Sequence, residues 1–135
     1  MPLLIWGAMF EVGVQEIDQQ HRKLVEMANE LADAVRDGKG IDVLTHVYDG
    51  LLQYTQSHFA TEERLMARYH YGDTQEHLRE HQELTQAVND FRRRLNGGQP
   101  ELAEEAMRFF TNWLSHHIMG TDKALARALR NQGVD

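Results

Sequence analysis

His58-Phe59-Ala60-Thr61-Glu62 and, fifteen residues after Glu62, His77-Leu78-Arg79-Glu80-His81 are the stretches that decide how this chain is read. The outer residues of each stretch are spaced i,i+4, so on a helix both side chains leave one face, a turn apart. The same faces carry apolar residues. Leu44, Val47 and Leu51 precede the first pair and Leu65 and Met66 follow it, while Leu84, Val88, Phe91 and Leu95 follow the second. Four groups able to bind a metal therefore stand where a helical protein keeps its core. Burying such groups without partners costs roughly 1–3 kcal/mol each. A bound metal is the simplest compensation.

Outward from these pairs the pattern stays helical. One long helix is expected from about Asp42 to Tyr69, with Gly50 weakening its first half. The turn Tyr71-Gly72-Asp73 follows, with Asp73 and Glu76 spaced as a capping box. The next helix runs from about Thr74 to Leu95, and Asn96-Gly97-Gly98 ends it. Upstream, a helix from an Asp18 N-cap to about Arg36 carries the stripe Leu24, Ala28, Leu31, Ala32 and Val35, with His21 one turn before Leu24. Asp37-Gly38-Lys39-Gly40 stops it. Downstream, Pro100 suits the first turn of a helix carrying Leu102, Ala106, Phe109, Phe110, Trp113, Leu114 and His117. Gly120 interrupts that pattern, and Ala124–Leu129 reads as a short terminal helix.

Four amphipathic helices with short connections and no strand pattern predict an all-α, antiparallel up-down-up-down four-helix bundle. Residues 1–135 are expected to form one domain: an extended arm over 1–17, the bundle over 18–120, and a short helix and tail over 121–135. Pro2 and Gly7 disfavour helix in the arm, and Trp6, Phe10, Val12 and Val14 are placed to lie over the bundle.

Composition narrows the chemistry. A formal charge of −7 argues against nucleic acid and anionic membranes as partners. No apolar run approaches the ~18–20 residues of a membrane span. The apolar start, Met1 to Phe10, lacks the basic segment and cleavage pattern of a signal peptide, so a cytoplasmic protein is expected. With 0 cysteines, disulfides, iron–sulfur clusters and thiolate metal sites are excluded together. Any transition metal must be held by imidazole and carboxylate, which suits iron, manganese, zinc or copper.

Of the 8 histidines, His21, His58, His77, His81 and His117 fall on inward stripes, with every bundle helix contributing. His46, His70 and His116 fall off the stripes or in loops and read as surface residues. Glu62 shares the face of His58, whereas Glu63 lies about 140° away and should face water or support a ligand from outside. Asp122 is five residues from His117, on another face of an unbroken helix. It reaches the same site only if the helix bends or unwinds near Gly120, and periodicity leaves that open. Five histidines and two carboxylates exceed the needs of one ion and fit two. With roughly six positions per ion, each imidazole takes one, each carboxylate bridging through both oxygens takes two, and a bridging oxide or hydroxide takes one on each ion, leaving about one vacancy. A single vacancy walled by Leu24, Phe59, Trp113 and Leu114 would admit one small molecule.

Ile17-Asp18-Gln19-Gln20-His21, His58-Phe59-x-x-Glu62-Glu63, His77-x-x-x-His81 and His117-Ile118-x-x-x-Asp122 together resemble the hemerythrins, in particular the single-domain bacterial members. The resemblance spans nearly the whole chain and implies a non-haem di-iron site. It assigns His77, His81 and His117 to one iron and His21 and His58 to the other. Glu62 and Asp122 bridge, which settles Asp122. Both irons would be ferrous without ligand and ferric with it, joined by an oxide or hydroxide. Dioxygen would bind at the iron with two histidines, in a pocket of Leu24, Phe59, Trp113, Leu114 and Ile118. The implied function is reversible dioxygen binding for transport, storage or delivery to an oxygen-consuming enzyme. Sensing or scavenging of oxygen, peroxide or nitric oxide at the same site is the alternative. Neither reading is enzymatic, and a monomer is expected. Ferritin-like di-iron oxygenases use mostly carboxylates with Glu-x-x-His pairs, and no such pair lies on an inward face here.

Overall fold

The computed structural model of the chain describes residues 10–97 and 101–135, Ala103 by its backbone alone. Helices α1 (Gln15–Arg36), α2 (Ile41–Arg68), α3 (Thr74–Leu95) and α4 (Glu101–His116) are followed by a π-helical turn (His117–Asp122) and α5 (Lys123–Asn131). There is no strand among the described residues, and no helix there is long and apolar enough to cross a membrane. Helix α1 packs on α2 and α4, and α3 packs on the same two, which closes a ring of four. Short connections make neighbours antiparallel. The starts of α1 and α3 therefore meet the ends of α2 and α4 at one end of the bundle.

That end receives the polar residues, and the other is filled with hydrocarbon. Leu31, Leu44, Tyr48, Leu95 and Leu102 are buried there. The Tyr48 hydroxyl donates to the Val88 carbonyl at 3.0 Å, satisfying the one polar atom that this ring brings inside. Arg92 grips both oxygens of Asp49 (2.5 and 3.1 Å) and ties α3 to α2 at the rim.

The helix boundaries follow local chemistry, with some departures from the sequence expectation. Helix α1 starts at Gln15, before Asp18. The Asp18 carboxylate reaches back to accept the backbone N–H groups of Val12 (2.7 Å) and Gly13 (3.1 Å). It thus fastens the preceding segment rather than capping the helix, and Phe10, Val12 and Val14 are buried against the bundle. At the other end of α1, Gly38 takes φ +66°, the conformation that lets Gly38 and Lys39 return their N–H groups to Val35 and Ala34. His70 does the same work after α2 at φ +52°, despite its side chain, and Tyr71 N–H bonds the Met66 carbonyl. Asp73 and Glu76 form no capping box, because the Asp73 side chain makes no cap hydrogen bond. Phe109 is not inward. It is 38% exposed, one position around from buried Phe110, with its ring 5.9 Å from that of Phe91. Trp6 and the residues expected around it in the arm, like Gly98 and Pro100, lie outside the described residues.

Candidate metal centre

Helices α1, α2 and α3 and the turn that follows α4 deliver the polar cluster. His21 comes from the start of α1, His58 and Glu62 from the last third of α2, and His77 and His81 from the first turns of α3. His117 and Asp122 open and close the π-helical turn. None of the seven is more than 2% exposed. His46, His70 and His116 are all exposed, as their positions off the stripes predict.

The π-helical turn brings Asp122 into the cluster. Its wider i→i+5 winding carries residue 122 back beneath residue 117, where an α-helix would leave it about 140° away. Room at Gly120 is not what the turn requires, since a Cβ there would meet nothing within 4 Å. Instead Glu80 of α3 holds both ends of the turn. It accepts from His117 Nδ1 at 3.0 Å and from the Thr121 hydroxyl at 2.8 Å. Glu80 and Gln20 were not singled out by sequence reasoning. Their roles depend on contacts between helices, and the only local signal was a polar residue next in sequence to an inward histidine.

The inward atoms form two overlapping groups, Glu62, His77, His81, His117 and Asp122 in one and His21, His58, Glu62 and Asp122 in the other. Within each group the donor atoms lie within 4.8 Å of one another. All five histidines turn Nε2 inward. Glu62 Oε1 lies 3.2 Å from His77, 3.0 Å from His81 and 3.5 Å from His58. Asp122 Oδ1 lies 3.2 Å from His77 and 2.8 Å from His117, and Oδ2 lies 2.7 Å from His21. The two carboxylates are thus common to both groups.

Several of these contacts are close in distance yet off the hydrogen-bond axis. His58 Nε2, His117 Nε2, Glu62 Oε2 and Asp122 Oδ1 are buried without a hydrogen-bond partner. Four such atoms at one spot would be costly in a finished protein interior. They are the atoms an ion would take up, and nitrogen with carboxylate oxygen is a donor set suited to a transition metal. The residues fit a pair of ions.

Three histidines are anchored from behind. His58 Nδ1 donates to Gln20 Oε1 at 2.7 Å, while Gln20 Nε2 donates to the Thr61 hydroxyl at 3.0 Å, which itself bonds the Ser57 carbonyl. His81 Nδ1 donates to Glu63 at 3.1 Å and His117 Nδ1 to Glu80. Each acceptor keeps the proton on Nδ1 and leaves the Nε2 lone pair facing inward when the ring is neutral.

Without metal, protons offset the carboxylates. Burial and the neighbouring Asp122 push the Glu62 carboxyl up, but the nearby imidazoles of His58, His117 and His77 outweigh them and hold it well below its usual range. Asp122 is likewise held down by His117, His21 and His58 against its burial. Burial works against the His77 imidazolium, yet the carboxylates of Asp122 and Glu62, each 3.2 Å away, raise its pKa to about 9. His117 is raised for the same reason.

Two aromatic rings pack on the cluster. The Phe59 ring stacks on His81 (centroids 3.7 Å apart) and that of Trp113 on His117 (4.2 Å), so both lie against the three-histidine side. Leu24, Leu114 and Ile118 are buried, and Trp113 is half-buried.

Known proteins share the sequence pattern and the fold of this chain. A family model described as the hemerythrin HHE cation binding domain matches residues 12–129. The bacteriohemerythrin of Stenotrophomonas maltophilia is 36% identical over 93% of this chain and 81% of that one. The bacteriohemerythrin of Pseudomonas aeruginosa is 34% identical over 97% and 84%. The myohemerythrin of Theromyzon tessulatum is 27% identical over 87% and 86%. A crystal structure of wild-type hemerythrin aligns with a TM-score of 0.88 at 30% identity, covering 94% of this chain and 98% of that one. The chain belongs to the hemerythrin family.

Proposed function

We propose that this chain binds dioxygen reversibly at a non-haem di-iron centre, for transport, storage or delivery to an oxygen-consuming partner. His77, His81 and His117 hold one iron, His21 and His58 the other, and Glu62 and Asp122 join them. The observation that carries this reading is the pair of buried donor groups sharing two carboxylates. A single ion has no use for seven inward donors, and a hydrogen-bonded network would not leave four of their atoms without partners.

With two irons bound, the centre would supply the electrons and the affinity for a small ligand. The chain supplies the rest. Five imidazoles, three of them fixed by an acceptor behind Nδ1, keep the donor atoms in place without rearrangement. Phe59, Leu24, Leu114 and Ile118, with 5%, 1%, 2% and 0% exposure, exclude water from around the cluster. By excluding water these side chains would keep protons away from the site, so that a small ligand would leave as it arrived.

The test is a visible absorption spectrum of iron-loaded protein, reduced without air, then exposed to air, then placed under vacuum. A charge-transfer band that appears in air and disappears under vacuum is expected. Absence of the band, or its conversion to a permanent ferric spectrum in one exposure, would refute reversible binding.

A further inference from the structure

Behind the histidines, the two halves of the centre differ in charge. On the three-histidine side, His81 Nδ1 faces the carboxylate of Glu63 at 3.1 Å and His117 Nδ1 faces that of Glu80 at 3.0 Å. On the two-histidine side, His58 Nδ1 faces the neutral amide of Gln20 at 2.7 Å; His21 Nδ1 there and His77 Nδ1 on the three-histidine side have no partner, so the contrast lies in the two carboxylates. Neither kind of partner is accidental in its orientation. Glu80 is held through both oxygens by the Thr121 hydroxyl, and Gln20 is turned oxygen-first to His58 because its amide nitrogen is engaged by Thr61.

An anionic acceptor draws the Nδ1 proton toward itself and makes the opposite nitrogen of the ring a stronger donor. It also sets a negative charge about one imidazole width from the ion. A neutral amide orients the ring without adding charge. We infer that Glu63 and Glu80 are positioning residues that rank the two metal positions: the three-histidine position fills first and empties last, and the two-histidine position is the exchangeable one. The inference rests on the di-metal reading above. Glu80 matters more than Glu63, because it is held at two points and its side chain is 34% exposed against 44% for Glu63.

The ranking has a consequence for partly loaded protein. A chain with one ion carries it among His77, His81 and His117, and the ion added last is the one beside His21 and His58. Replacing Gln20 with glutamate would place a carboxylate behind His58 and level the two positions.

The test is titration of metal-free protein with Co²⁺ against a competing chelator, for wild type, Glu63→Gln, Glu80→Gln, Gln20→Glu and His21→Ala. Glutamine keeps an acceptor oxygen and removes only the charge. Wild type should take up two ions in two resolved steps, and His21→Ala should lose the weaker step alone. Glu80→Gln and Glu63→Gln should weaken the tighter step by about 10- to 100-fold and move the weaker one by less than about threefold, and Gln20→Glu should tighten the weaker step. The melting temperature of metal-free Glu63→Gln should match that of wild type, which separates a charge effect from a folding defect. If Glu80→Gln fails to fold, Glu63→Gln carries the test alone. Two equal steps in wild type, or equal weakening of both steps in the glutamine variants, would overturn the ranking. Uptake of fewer than two ions by wild type would instead overturn the di-metal reading itself.

Discussion

Replacing His77 with alanine separates the structural from the metal-binding role of the cluster. In metal-free protein the His77 imidazolium lies 3.2 Å from Glu62 Oε1 and 3.2 Å from Asp122 Oδ1. Its pKa of about 9, against an ordinary 6.5, corresponds to about 2–3 kcal/mol of folding stability at pH 7. The variant also leaves a cavity and two carboxylates with one fewer cation, so the total loss is about 3–5 kcal/mol. That is a large part of a domain's ~5–15 kcal/mol, and it lowers the melting temperature by roughly 10–20 °C. Because the folded pKa is raised, the contribution is full below pH 6.5 and is lost as pH rises through about 9. The gap between wild type and variant in metal-free protein therefore narrows across that window. Metal takes the place of the proton, so loaded wild type shows no such decline. Thermal denaturation with and without metal, together with iron analysis, measures both effects, and His46→Ala at an exposed histidine serves as the control. If His77→Ala matched wild type in iron content and in melting temperature below pH 6.5, the electrostatic account of the cluster would be wrong.

Three further substitutions probe separate parts of the structure. Leu114→Ala should retain both irons, lose about 2–4 kcal/mol of stability, and turn ferric faster in air as water enters; an unchanged rate by visible absorption would remove Leu114 from the water-excluding wall. Gly50→Ala should stabilise the fold by about 0.5–1 kcal/mol by urea denaturation, because the new methyl meets only Met27 Cε at an ordinary 3.6 Å. Tyr48→Phe breaks the bond to the Val88 carbonyl in the hydrocarbon half and should cost about 0.5–1.5 kcal/mol, leaving iron stoichiometry unchanged.

The sequence made the bundle readable because its signals are local. The i,i+4 and i,i+3 spacings fixed which faces turn inward, and the spans expected for α2 and α3 match the observed helices to within a residue or two. What it hid depends on contacts between elements. Asp18 looks like an N-cap until Val12 and Gly13 are seen to fold back onto it. Phe109 neighbours an inward residue and is itself apolar, so pattern alone could not tell that it stays at the surface against Phe91. Asp122 could not be placed by periodicity, because a π-helical turn is stabilised across helices, here by Glu80 gripping His117 and Thr121. The inward histidines were legible one at a time. Their common orientation, Nε2 inward, and the anchoring of His58, His81 and His117 through Nδ1 by Gln20, Glu63 and Glu80 emerge only when four helices are assembled.

Anomalous X-ray scattering at the iron edge, from crystals of iron-loaded protein, tests the central claim most directly. The account predicts two peaks, one among His77, His81 and His117 and one beside His21 and His58, with Glu62 and Asp122 reaching both. A single peak, or peaks that leave either carboxylate uncoordinated, would contradict it.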